Sequence, residues 1–158
     1  MNYLEDSIRN LYSRLNIVTP TELTVENIAD QLNIEIMYWD EPSQAFSNDD
    51  VIFIFLNRSL VQSEEFCHEL GHVLLHAGDQ MYMDPLFVEY QEIKANNFAL
   101  HAAVPTTMLM ELNLPSNYFE AVSVIQDTFS VSPEFACRRL NHFINNHLHT
   151  LTNAQKAV

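Results

Sequence analysis

Residues 64–78 read EEFCHELGHVLLHAG and contain two histidines four apart, His68 and His72, with Glu69 directly after the first. At about 100° per residue, Phe66, Leu70, Val73, Leu74 and Ala77 form one apolar helical stripe. His68, Glu69 and His72 fall on the opposite side, within about 100° of one another. A polar face alone decides nothing, because every amphipathic helix has one. Surface helices, however, fill that face with Lys, Glu and Gln. Here two imidazoles stand one turn apart, a spacing that lets both ring nitrogens meet a single zinc ion. The pattern predicts a helix from Ser59 or Leu60 to Ala77, with Gly78 as its C-cap.

A zinc site needs a third ligand. His76 continues the series, but three side chains stacked along one straight helix span about 12 Å and cannot close on one tetrahedral ion. The better candidate is Glu92 in VEYQEIKANNFALHAAV (residues 88–104), part of a helix predicted from Pro85 to Ala103. Glu92, Ala95, Asn96, Ala99 and Ala103 share one face of it, and the alanines permit the close approach two helices need to share a metal. Asn96, one turn after Glu92, is placed to hold the second nitrogen of a liganding histidine. Cys67 points about 100° away from His68 and reads as a core thiol rather than a ligand. Gly71 costs ~1 kcal/mol in a helix relative to Ala, so something is expected to pack closely there.

Around these helices the expected fold class is α+β. Leu4, Ile8, Leu11, Tyr12 and Leu15 have helical spacing, and Thr24 is an N-cap for a helix running to about Leu32. IEIMYW (34–39) and VIFIFLN (51–57) are strand-forming, with a short QAF piece between them. The unbroken apolar run of 51–57 implies burial on both faces. These pieces make a small sheet of about three strands, packed on a helical bundle. Shorter helices follow near 106–112 and 116–129. A last one is capped by Ser132-Pro133 and runs to about His147.

The composition limits the function classes. At 158 residues and 47% apolar, the chain is expected to form one domain with a real core. Seven Lys and Arg against 21 Asp and Glu give a formal charge of −14. Such a surface repels phosphate backbones, which argues against direct nucleic-acid binding, and attracts a basic partner. No signal peptide or apolar run of ~20 residues is visible, and two cysteines are too few for a disulfide framework. The expectation is a soluble, reduced, cytoplasmic protein without a membrane association. Arg138 and Arg139 give the C-terminal region a helix-turn-helix look, but with this charge balance a packing role is expected.

HELGHVLLH followed by EIKANNFALHAAVP resembles the ImmA/IrrE family of metallopeptidase domains. The likeness extends to VENIADQLNIEI, VIFIFLN and FSVSPEFACRRLNHF, about residues 20 to 145. Lys94 stands where many members are acidic, and Val104 precedes Pro105 where Met is common. The resemblance implies a minimal zincin core like that of thermolysin-like enzymes, with His68, His72 and Glu92 as zinc ligands and Asn96 at the family's Asn position. Three protein ligands leave a fourth position for water, the arrangement of a catalytic zinc. Glu69 is then the general base. Tyr82, Tyr90, His101, Tyr118 and His142 are all candidates to stabilise an oxyanion, and a sheet edge is expected to bind the substrate as an added strand. The implied function is a zinc endopeptidase acting on a repressor or other basic DNA-binding regulator, in phage, mobile-element or stress-response control. The alternative is a zincin-like binding module, an anti-repressor or toxin–antitoxin partner that cuts nothing.

Overall fold

The computed structural model describes residues 3–48, 51–75 and 83–156, with side chains as far as Asn146. Helix α1 (Tyr3–Arg14) leads through a 3₁₀ turn (Pro20–Glu22) to α2 (Val25–Leu32). Thr24 caps α2, its hydroxyl accepting from the Asn27 N–H at 3.1 Å. Asn33 ends the helix in the left-handed region, φ 54°, which Asn tolerates better than most residues. The chain passes directly into β1 (Ile34–Trp39), then β2 (Gln44–Asn48) and β3 (Val51–Asn57).

The sheet order is β1-β3-β2, so β3 is central and β2 an edge strand. β1 runs parallel to β3, with Ile34 opposite Ile52. β2 runs antiparallel to it, with Ala45 opposite Ile54. One face carries Ile34, Ile54 and Leu56, all buried in the core. The other does not follow the sequence expectation of burial on both sides of β3. Met37 and Phe46 flank Phe53 and Phe55 there and remain 49% and 57% exposed. The aromatic run on this face is covered mainly by itself, with Trp39 and Phe55 at 4.9 Å between ring centroids.

After β3 the described chain is helical: α3 (Gln62–Leu75), α4 (Pro85–Ala103), α5 (Thr106–Glu111), α6 (Tyr118–Phe129) and α7 (Pro133–Lys156). α3 starts later than expected because Asn57 organises the turn before it. The Asn57 side chain accepts from Ser59 N–H and its carbonyl accepts from the Gln62 amide. α7 outruns the expected end near His147 because neither Gly nor Pro follows Pro133 to stop it. Ser132 caps α7, accepting from Phe135 N–H at 3.2 Å. His76, Ala77, Gly78 and Tyr82 lie outside the described residues.

A buried polar network ties the helices together. Arg139 of α7 is fully buried and donates from Nε to the Val104 carbonyl at 2.9 Å, capping the end of α4. Its Nη2 donates to Thr106 Oγ1 at 2.7 Å, and Thr106 in turn donates to the Glu5 carboxylate of α1 at 2.9 Å. Arg138 lies over the Phe135 ring at 5.3 Å. Both arginines of the helix-turn-helix look thus have packing partners. Among the described residues no helix is long and apolar enough to cross a membrane.

Candidate metal centre and active site

α3 and α4 form the most extensive helix–helix contact in the fold, and β2 lies along the other flank of α3. α3 thus has a helix on one flank and a sheet edge on the other, with Glu69 of its polar side buried and His68 and His72 half-buried. Phe66, Cys67, Glu69, Leu70 and Gly71 are all buried. Leu74, expected in the apolar stripe, is instead 44% exposed near the end of the helix. At Gly71 the two helices are close: a Cβ there would sit 3.1 Å from the Ala95 Cα.

That approach brings three side chains to one point. His68 Nε2 and His72 Nε2 are 3.1 Å apart. Glu92 places Oε2 3.3 Å from His68 Nε2 and Oε1 3.3 Å from His72 Nε2. Zinc with bonds of ~2.0–2.1 Å in a tetrahedron separates its donors by about 3.3 Å, so the three groups stand at the right mutual distances. Among the described residues this is the one cluster of His, Cys, Asp and Glu with metal-ligating spacing. The donor set, two imidazoles and a carboxylate, is also that of catalytic zinc sites.

Glu69 is 6% exposed. Burial, then the neighbouring carboxylates of Glu65 and Glu92, push its carboxyl up to about 7; a hydrogen bond from the Ala45 backbone N–H in β2 opposes the rise. A carboxyl poised there exchanges a proton readily at neutral pH. Ala45 was not foreseen, since a backbone N–H leaves no mark in the sequence. Asn96 stands one turn beyond Glu92 and is exposed. Cys67 is buried, with its thiol pushed up to about 12 by burial, so it stays protonated in the core.

The candidates for oxyanion stabilisation separate clearly. His101 is 1% exposed, with its Nδ1 3.7 Å from Glu5, so it sits beside the buried network; its ring meets the half-buried His142 at 4.8 Å. Burial, followed by the nearby Arg139, lowers His101 to about 4 and keeps it neutral. Tyr118 bonds Asn141 at 3.1 Å. Tyr90 is half exposed and stacks with Phe87 on α4.

Residues 29–141 match the Peptidase M78 family model, described as the IrrE N-terminal-like domain. The chain belongs to this family. It is 40% identical over 146 residues to the phage-like element PBSX protein XkdA of Bacillus subtilis (strain 168), covering 90% of this chain and 74% of that protein. It is 32% identical over 157 residues to the uncharacterized protein YqaB of the same organism, covering 96% of this chain and 91% of that one. The ImmA/IrrE resemblance and the α+β fold it implied are thus shown, and membership in a peptidase family implies a metal. His68, Glu69, His72 and Glu92 all fall inside the matched segment.

Proposed function

We propose that this M78 domain is a zinc-dependent endopeptidase that cleaves a repressor or other basic DNA-binding regulator. The observation that carries the reading is the convergence of His68, His72 and Glu92 beside a buried Glu69. His68, His72 and Glu92 would hold the zinc. When bound, zinc supplies Lewis acidity toward a peptide carbonyl and acidifies a water at the open position. Glu69 takes the proton from the attacking water and passes it to the departing amine, roles that suit a carboxyl at about 7. The Ala45 backbone of β2 lies beside the Glu69 carboxyl and favours its ionised form. β2 is the sheet edge beside this base, which favours it as the strand along which an extended substrate adds.

The substrate class rests on two supports. A charge of −14 favours a basic protein partner. The phage-like element relative supports a setting in phage or mobile-element control. Asn96 is kept as a residue that could orient a liganding histidine once metal is bound, a role its place after Glu92 permits.

The test is zinc content and cleavage of the regulator encoded beside the gene, in wild type and Glu69→Gln. Retained zinc with cleavage lost only in the variant supports the peptidase. Tight binding of the regulator with cleavage by neither protein would establish the non-catalytic binding module instead. Zinc-free wild type, with no effect of Glu92→Ala, would refute the metal centre.

A further inference from the structure

We infer that Gly71 is a positioning residue for the metal centre: its missing side chain sets the distance between the histidine pair on α3 and Glu92 on α4. The inference rests on the reading of His68, His72 and Glu92 as zinc ligands. Gly71 lies on the same helix turn as both histidines, between them in sequence. A Cβ there would meet Ala95 Cα at 3.1 Å, Phe98 Cδ1 at 3.2 Å and the Ala95 carbonyl oxygen at 3.3 Å. Two of these three atoms are backbone, so they cannot rotate aside. Helix α4 itself has to retreat by a few tenths of an ångström.

Glu92 precedes Ala95 by three residues on that helix and moves with it. Ligand distances in a well-formed metal site hold to within roughly 0.2 Å. A retreat of a few tenths of an ångström is of that size or larger. Glu92 can follow only by leaving the pose in which each of its oxygens is 3.3 Å from a different histidine nitrogen. Ordinary helix packing predicts the opposite, because alanine in place of glycine favours α3 as a helix. Gly71→Ala should therefore keep or strengthen the helix while weakening the metal.

The experiment is chelator competition with zinc alone, together with the absorption spectrum of the cobalt(II)-loaded protein and the melting curve of the metal-free form. Gly71→Ala should bind zinc about 10–100-fold more weakly, in the range of lost supporting contacts around metals, with an altered cobalt spectrum. Ala102→Val burdens the same helix three turns beyond Glu92. It should lower the metal-free melting temperature and leave zinc affinity within about threefold. If Gly71→Ala does not fold, Gly71→Ala with Phe98→Leu replaces it, because the side-chain contact is relieved and the backbone contact kept. A folded Gly71→Ala protein that binds zinc as tightly as wild type overturns the inference and leaves the metal centre standing. Wild type that binds no zinc removes the metal centre itself, a result that needs no variant to recognise.

Discussion

Glu69→Gln should make the metal-free protein more stable, by an amount that depends on pH. The carboxyl is 6% exposed, and burial with two like-charged neighbours raises it from an ordinary 4.5 to about 7. The native state therefore holds a proton that the unfolded chain releases between pH 4.5 and 7. Stability contributed by that carboxyl is fully present below 4.5 and falls as pH rises through 7. At about 1.36 kcal/mol per pH unit, the full cost of keeping it ionised is about 3 kcal/mol. Glutamine has nearly the same shape and no charge, so the variant escapes the cost. The assay is urea unfolding of chelator-treated wild type and variant from pH 4.5 to 8.5. The difference should be near zero at the acid end and reach about 2–3 kcal/mol in favour of Gln above pH 7. A variant no more stable than wild type at pH 8, or a difference that does not shrink on acidification, refutes the account of Glu69.

Other expectations follow from the same geometry. His101 is lowered to about 4, so its contribution is complete above its unfolded value near 6.5 and is lost as pH falls toward 4. In metal-free Glu69→Gln, where the opposing carboxyl is gone, the melting temperature should climb between pH 4 and 6.5; a flat profile would contradict the buried neutral His101. Arg139→Ala removes the buried partner of Thr106 and of the α4 C-terminus near Glu5, and should cost about 3–5 kcal/mol in urea unfolding. Zinc at 100 times its dissociation constant should stabilise the wild type by about 2.7 kcal/mol, and Glu92→Ala should abolish that gain at the same concentration, as read by melting curves. Asn96→Ala should weaken zinc binding by about 10–100-fold in chelator competition; a change of less than about threefold would remove it as a support for a liganding histidine.

The convergence of His68, His72 and Glu92 was legible in the sequence because its parts are periodic. Residues four apart on one helix must share a side, and an alanine-rich helix carrying a glutamate has few reasons to be so smooth. The Pro85–Ala103 limits were visible for a similar reason: Pro85 suits a first helical position and Pro105 forbids continuation. The unread parts depend on the partner rather than on the element. Whether Phe53 and Phe55 are covered depends on what packs against the sheet, and no pattern inside β3 carries that information. The identity of the edge beside Glu69 was hidden because Ala45 acts through its backbone. His101 and Tyr118 looked equivalent in sequence as oxyanion candidates, and only burial against Glu5 and contact with Asn141 set them apart.

The chain from Glu5 through Thr106 to Arg139 links the first helix to the last, across separations of 101 and 33 residues. During synthesis Glu5 emerges early and waits for Arg139, while α3 and α4 are made in between. Closing such a distant pair is the slow, costly part of folding. A nascent chain can thus present His68, His72 and Glu92 before it has the network that fixes the far end of α4. A ribosome-stalled fragment ending before Arg139 would therefore hold α3 and α4 without the contacts that tie the Val104 end of α4 to the last helix and the first.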